Sequence, residues 1–412
     1  MKKSLLLLSI LFLIDLNALD IKSAIDIALK NNNQIKQKTY EFDESRENIT
    51  LNKSGFKPKF DLSYGYSDMS KVLSGKKRNS TATAAFSYNL FNGFSDFNLV
   101  KSAKYNSQSS KLLLYAFKED IVYSTKVAYI NYLNAMKNKK SYEVEYTLFK
   151  KQYEDSKNRF EQGLIAKNDI LDVHVKMLRA KQSLTRASSD LKIAKFELSN
   201  ILGGINLDNV EIDELNEKNI SLKKYDKKFL DNRSEIKALK KTIQSLKSKL
   251  DSTKGTFLPS IDTSLSYNKF GDDINPHNQE LDNQKVAQIT LKWNLYNGGT
   301  NHSQMKIEKL KIRQIKEQLQ KTKLDIKLQY QEAKSNFEVA NLNLDSAKLA
   351  LTQAKENYKI VSDKFDEGIV KSTDLTDANY LLTSAKQLYF QAYYDKFLAI
   401  AKLDRIFEKG MN

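Results

Sequence analysis

The chain has 412 residues, enough for two or three domains at about 150 residues each, and a net charge of +17 from 67 Lys+Arg against 50 Asp+Glu. It has no cysteine, which excludes disulfides, thiolate zinc centres, a cysteine nucleophile and a lipid carried on an N-terminal cysteine. With 41% hydrophobic and 28% charged residues it is not a multi-span helical membrane protein; its 13 Gly and 3 Pro stand against roughly 29 and 21 at average usage, so its elements are long and uninterrupted.

Lys2 and Lys3 precede the apolar run Leu5–Ile14, and the small residue Ala18 follows. This is the layout of a secretory signal peptide, expected over residues 1–18. The run is too short to cross a bilayer as a helix. No other stretch reaches 18 apolar residues, so an exported chain without a membrane-spanning helix is expected.

Beyond the signal the chain is written twice. Arg159–Ala180 (RFEQGLIAKNDILDVHVKMLRA) returns 205 residues later as Lys364–Ala385 (KFDEGIVKSTDLTDANYLLTSA). Tyr88-Asn89-Leu90-Phe91-Asn92-Gly93 returns at the same offset of 205 as Trp293-Asn294-Leu295-Tyr296-Asn297-Gly298. Upstream the offset is 201, taking Ile35 to Ile236, Pro58 to Pro259, Asp61 to Asp262 and Tyr66 to Tyr267. The change falls where Ser74-Gly75-Lys76-Lys77 corresponds to the longer polar stretch Gly271–Gln284, as expected of exposed loop tips. Two structural repeats are expected, over 19–205 and 227–412, joined by a linker over 206–226. Each holds a helix, two strands and a long helical hairpin.

The strands come first in each repeat. Phe60, Leu62, Tyr64 and Tyr66 alternate with polar or small residues, as do Ala82, Ala84, Phe86, Tyr88 and Leu90. The second repeat offers Ile261, Thr263, Leu265 and Tyr267, then Ala287, Ile289, Leu291, Trp293 and Leu295. A period of two over about ten residues gives a strand with one aromatic-rich face and one polar face, the length and pattern of a transmembrane β-strand. Four strands cannot close a barrel, and an open edge cannot sit in lipid, so several chains are expected to pool them.

The arms follow. No Gly or Pro occurs between Gly93 and Gly163 or between Gly299 and Gly368. In the second arm Ala333, Phe337, Ala340, Leu344, Ala347, Leu351, Ala354, Tyr358, Val361 and Phe365 are spaced alternately four and three apart, a heptad seam. The first arm keeps the register from Ala128 to Phe160, broken at Lys139. Each arm should be a helix on the order of 100 Å long. A glycine then turns the chain into a return helix, ending near Leu202 and Phe407.

The paired strands, the N-L-[FY]-N-G motif, the Gly-free arm and a tip of the form [RK]-F-x-x-G-x-x-x-x-x-D-[IL]-x-D, all present twice behind a signal segment, resemble the TolC-type outer-membrane efflux and secretion channels. The resemblance covers essentially the whole mature chain. It implies a mainly α fold with a small β part. Each chain is an internal duplication, and three of them form a 12-stranded β-barrel joined to a long 12-helix periplasmic α-barrel. It implies a homotrimer in outer-membrane lipid, taking cargo from an inner-membrane transporter through a periplasmic adaptor (a membrane fusion protein), with no cofactor and no chemistry on the cargo. The family's paired acidic positions at the periplasmic aperture are matched by Asp374 and Asp377, which share a helix face three residues apart. The competing reading of that pair is partnership with the helix dipole. Asp169 and Asp172 hold the same positions in the first repeat and are expected to be structural or adaptor-facing. The family's basic latch residue is replaced by Val370, with Lys371 beside it.

Gly163, Leu164 and Ile165, with Ala166, and Gly368, Ile369 and Val370 place apolar side chains at the wet end of a coiled-coil hairpin, an expected docking surface for the adaptor. The excess lysine is spread along helix faces with no basic run interleaved with aromatics, so no nucleic-acid partner is expected. His174, His277 and His302 lack ligand spacing, and no metal or catalytic constellation is expected. The alternative to a channel is a periplasmic coiled-coil adaptor or structural protein. An adaptor should carry Gly/Pro-rich β-domains around a single hairpin, whereas this chain has two equivalent hairpins.

Overall fold

The structure, a computed structural model, describes residues 18–70, 77–215, 229–276 and 283–411. The expected signal up to residue 17, Ser74-Gly75-Lys76, His277 and linker residues 216–226 lie outside the described residues. In chain order the elements are β1 (Ala18–Leu19), α1 (Ile21–Asn31), α2 (Asn33–Lys53), β2 (Lys59–Asp68), β3 (Arg78–Asn92), α3 (Ser95–Glu161) and α4 (Lys167–Ile201). Then come β4 (Glu211–Ile212), α5 (Phe229–Asn232), α6 (Ser234–Gly255), β5 (Ser260–Gly271), β6 (Asn283–Lys292), α7 (Thr300–Asp366) and α8 (Ser372–Ile406). The duplication is visible in the lengths: α3 and α7 both have 67 residues, and α4 and α8 both have 35.

Two compact units form, and neither is a sequence repeat, because each draws on both. One unit comprises Gln37–Ala116 and Leu230–Asp325 and holds the sheet. Its four strands lie in the order β2-β3-β5-β6, all antiparallel, and among the described residues one edge of β2 and one of β6 are left unpaired. On the polar face Thr83 donates to Asn268 at 2.8 Å and Asn89 Nδ2 to Asp262 Oδ1 at 2.7 Å. A bulge at Leu90 shifts the β3–β5 register, so that Phe91 and Asn92 still reach Ile261 and Ser260. β6 stops at Lys292, short of the expected Trp293 and Leu295. Lys292 already lies opposite Ser260, the first residue of β5, so among the described residues those beyond it have no strand beside them.

In the same unit α3 and α6 pack through small hydroxyl side chains. Ser95 meets Ser252 at 2.8 Å, Ser102 meets Ser245 at 3.0 Å, and Ser109 reaches Thr242 and the Ala238 carbonyl at 3.0 Å. A serine at every seventh position keeps one helical stripe small enough for close approach while pairing its own hydroxyls. Gly93, at φ 68°, lies so close to Gly255 that a Cβ on either would overlap the other's carbonyl.

The other unit comprises, of the described residues, those up to Lys36, those from Phe117 to Phe229 and those from Ile326 on. Here the hairpins α3–α4 and α7–α8 lie side by side. Every expected seam residue of α7, Ala333 to Phe365, is buried or half-buried. The α4 face buries Val173, Ala180, Ala187 and Ala194, one every seven residues. α3 has a second buried stripe that hydrophobic periodicity could not show, because it is polar: Ser141, Glu145 and Gln152, beside Ser156 of the expected seam. It faces α8, where Gln152 Nε2 donates to Ser372 and Thr376 at 2.6 and 2.8 Å and Asn134 to Gln391 at 3.0 Å. Asp120–Arg405, at 2.5 Å, and Lys126–Asp404, at 2.8 Å, close the far end. Tyr129, fully buried, has its hydroxyl 2.9 Å from the Leu19 carbonyl and 2.7 Å from that of Asp213, beside the short parallel pair β1–β4.

Candidate functional site

The hairpin tips carry the expected site residues, and the two are built alike. At the end of α3, Leu164 N–H donates to the Arg159 carbonyl and Gly163 N–H to that of Phe160, both at 2.9 Å. At the end of α7, Ile369 N–H donates to Lys364 at 2.9 Å and Gly368 N–H to Phe365 at 3.0 Å. These are Schellman closures, which need a left-handed residue, and Gly163 and Gly368 supply it at φ 73° and 75°. A Cβ on either would meet nothing within 4 Å, so conformation alone calls for glycine. Ala166 and Lys371 then open the return helices with matching extended backbones.

The apolar tip residues separate into two kinds. Leu164 and Ile369 project, 69% and 65% exposed. Ile165 and Val370 are half-buried and line a cleft of roughly 290 Å³ between the two tips, whose floor also includes Val173 and Phe365. Its rim is charged, with Asp155, Arg159, Asp169, Asp172 and Lys371. The Arg159 guanidinium sits over the Phe365 ring at 5.2 Å, joining the end of α3 to the end of α7. Sequence reasoning missed this contact. Its signal was the doublet Arg159-Phe160 repeated as Lys364-Phe365, one supplying the cation and the other the ring.

The four aspartates differ in what holds them. Asp374 is the third residue of α8, and its Oδ2 accepts the Lys371 backbone N–H at 2.9 Å, so it caps the helix. Asp377 is exposed one turn on. In the first hairpin Asn168 Nδ2 donates to Asp169 at 3.1 Å, and Lys176 pairs with Asp172 at 3.0 Å. Two histidines pack as rings: His174 stacks on Tyr153 at 4.6 Å, and His302 meets Phe257 edge-on at 5.2 Å. Among the described residues no group of three His, Asp or Glu is placed to hold a metal, and no helix is long and apolar enough to cross a membrane. The strands present the apolar surface instead: Phe60, Leu62, Ile289 and Leu291 are 64 to 75% exposed.

The model of the family described as "Outer membrane efflux protein" matches residues 24–204 and again 227–407. Among solved structures, the Campylobacter jejuni CmeC outer membrane channel aligns over 95% of this chain and 86% of its own, at 16% identity and a TM-score of 0.83. The Vibrio cholerae outer membrane protein VceC aligns over 95% and 97% of the two chains, at 14% identity and a TM-score of 0.78. The open state of the Neisseria gonorrhoeae MtrE outer membrane channel aligns over 95% and 89%, at 17% identity and a TM-score of 0.74. At these identities the likeness is one of fold. A search of curated proteins finds no match.

Proposed function

The chain belongs to the outer membrane efflux protein family, and from that premise we propose that it is the passive exit duct of a tripartite efflux or type I secretion system. The observation that carries the reading is the pair of unpaired strand edges, on β2 and β6, in a sheet whose exposed apolar side chains suit lipid. Backbone groups in lipid must be paired within protein, so such a sheet needs further copies to close it. Three copies would give twelve strands and a homotrimer. The protein does no chemistry on its cargo. The periplasmic adaptor docks on the tips, with Leu164 and Ile369 entering the partner and Gly163, Ile165, Gly368 and Val370 shaping the surface between. Asp374 and Asp377 ring the periplasmic aperture, and the inner-membrane transporter feeds it.

Fractionation tests the duct. Detergent extracts of the outer membrane should contain a species of three chains that conducts in planar bilayers, whereas release with soluble periplasm would leave the adaptor reading standing. Docking is tested by placing a charge at the tip. Leu164→Glu or Ile369→Glu should reduce export at least tenfold, since an unpaired charge against an apolar partner costs several kcal/mol. Trimer yield and conductance should be unchanged. Normal export in both variants would remove the tips as the docking surface.

A further inference from the structure

The apolar face of the sheet continues onto the helix that leaves it. Phe91 lies opposite Ile261, and Ile261 alternates with Asp262 of the polar face, so both belong to the apolar face. The Phe91 ring meets that of Phe94 at 5.2 Å. Phe94 and Phe97 are 62 and 60% exposed, and Trp293 and Tyr296, just past β6, are 57 and 84% exposed. Exposed aromatics at the end of an apolar sheet mark the level of a membrane–water interface.

Past that level the charge is one-sided. The stretches 95–111 of α3, 245–255 of α6 and 300–316 of α7, all next to the strands, hold eleven Lys or Arg against three Asp or Glu. Each of the three acids is already engaged or turned away. Asp96 lines a cleft with Asn89 and Asp262 on the polar side of the sheet. Asp251 pairs with Lys254 at 2.8 Å, and Glu308, 2% exposed, pairs with Lys311 at 3.0 Å. The matching end of α2, 44–54, is balanced, with Arg46 and Lys53 against Glu44 and Glu47. Lys101 and Lys104 follow Phe97 along one flank of α3 and return 205 residues later as Lys306 and Lys309 of α7. The same flank of α3 carries Tyr105, and Lys241 of α6 stands over that ring at 5.5 Å, so the exposed Lys247 and Lys254 of α6 lie on a helix bordering the flank. Among the described residues Lys101, Lys104, Lys247, Lys306 and Lys309 are exposed and have no carboxylate partner.

Resting on the outer-membrane duct reading above, we infer that these helix ends are a docking surface for anionic phospholipid headgroups of the periplasmic leaflet. Depth and charge both fit. Lys101 and Lys306 lie about 9 Å from the starts of α3 and α7, and Lys104 and Lys309 about 14 Å, at 1.5 Å per residue. A headgroup layer adds roughly 5–8 Å to the hydrocarbon, and charge acts over about 8 Å more at physiological salt, so both pairs are within reach of it. Basic residues beside a membrane attract anionic lipid. A soluble acidic partner would suit the lysines, but it would leave Phe94, Phe97, Trp293 and Tyr296 facing water, whereas lipid covers the rings and neutralises the charge together.

Spin-labelled lipids test the surface on the full-length channel in phosphatidylcholine bilayers. The motionally restricted fraction of labelled phosphatidylglycerol, compared with that of labelled phosphatidylcholine, gives the relative retention of the anionic lipid at the protein. The parent should retain phosphatidylglycerol about threefold over phosphatidylcholine at roughly 0.1 M salt, and the ratio should fall toward one at roughly 1 M. Lys101→Gln/Lys104→Gln/Lys306→Gln/Lys309→Gln should bring the ratio close to one at low salt. Lys327→Gln/Lys348→Gln/Lys355→Gln/Lys359→Gln makes the same charge change at exposed positions further along α7 and should keep the parent's ratio. Should the first variant insert poorly, the salt dependence of the parent's ratio carries the test. A ratio near one in a parent that inserts and conducts overturns the lipid surface and leaves the duct. Equal loss in the two variants also overturns it, because the preference then follows net charge and not these helix ends. A parent that does not enter bilayers removes the duct reading, and the lipid surface with it.

Discussion

The arm helices α3 and α7 come from equivalent stretches of sequence and meet different surroundings. α3 buries a mainly apolar seam and, on a second flank, the polar stripe from Ser141 to Gln152. α7 buries its apolar seam, while Leu328, Val339, Leu342 and Leu349 on its other side are 50 to 68% exposed. The contrast recurs in the sheet, where β3 has a strand on either side and β6 on one. It teaches that a duplicated chain can keep two copies of an element and give each a different task. The first-repeat copy became interior to the chain. The second-repeat copy kept an open flank.

The sharpest way to test that division is to cut the same position in both repeats. Tyr129 is fully buried at the centre of its cluster, and its equivalent is exposed Lys334. Tyr129→Ala should cost about 3–5 kcal/mol through the cavity and the lost hydroxyl contacts. Lys334→Ala should stay within about 0.5 kcal/mol. Thermal unfolding of the two variants would show it, and comparable losses would break the asymmetry.

The aspartate pairs offer the next contrast. Asp169 and Asp172 are engaged by Asn168 and Lys176, whereas Asp377 is exposed beside the cap formed by Asp374. A trivalent cation added from the periplasmic side should block single-channel current in the parent. The block should weaken at least tenfold in the Asp374→Ala/Asp377→Ala channel and persist in Asp169→Ala/Asp172→Ala. Equal block in both double variants would leave Asp374 and Asp377 as partners of the helix end and place the constriction elsewhere. Loss of the cap itself should cost about 1 kcal/mol of stability.

Much of this architecture was legible because glycine and apolar period mark it. Gly163 and Gly368 fixed the hairpin turns, the spacing from Ala333 to Phe365 fixed one seam, and alternation from Phe60 to Tyr66 fixed a strand. What stayed hidden is polar or depends on a neighbour. Ser141, Glu145 and Gln152 carry no hydrophobic signal although they are buried. Ser102 and Ser109 read as surface residues until α6 is beside them. Leu164 and Ile165 look interchangeable in sequence, yet one projects and the other lines the cleft. The end of β6 was overestimated because alternation continues to Leu295 while the partner strand begins at Ser260.

A smaller effect should come from the serine contacts. Ser109, buried against α6, has exposed Gln314 as its equivalent in α7. Ser109→Leu should force the helices apart at about 1–3 kcal/mol, and Gln314→Leu should be nearly silent in the single chain. Urea midpoints of the two variants would separate them. A silent Ser109→Leu would mean that the close approach of α3 and α6 is not under tension from packing.

The smallest expected effect is a pH dependence confined to one repeat. Glu145 lies on α3 between the Asn134–Gln391 and Gln152–Ser372 bonds, along a stretch of α8 that buries Asn379 and Thr383. Burial pushes its carboxyl above the usual value of 4.5. The folded state therefore holds the proton more tightly than the unfolded chain does. The stability this contributes is complete below the unfolded value and is lost as pH rises through the raised folded one. At neutral pH the ionised group weighs against the α3–α8 seam. Its equivalent, Ala350, is exposed and cannot titrate. Glu145→Gln keeps a hydrogen-bonding group of the same size and removes the charge. The variant should match the parent below pH 4.5 and exceed it at pH 7 by on the order of 1 kcal/mol. Other carboxylates titrate over the same range, so the quantity to follow is the difference between the two melting curves at each pH. A difference that stays constant from pH 4 to pH 7 would mean that Glu145 is already solvated within the seam, and that α3 is no more sealed on this flank than α7 is on its open one.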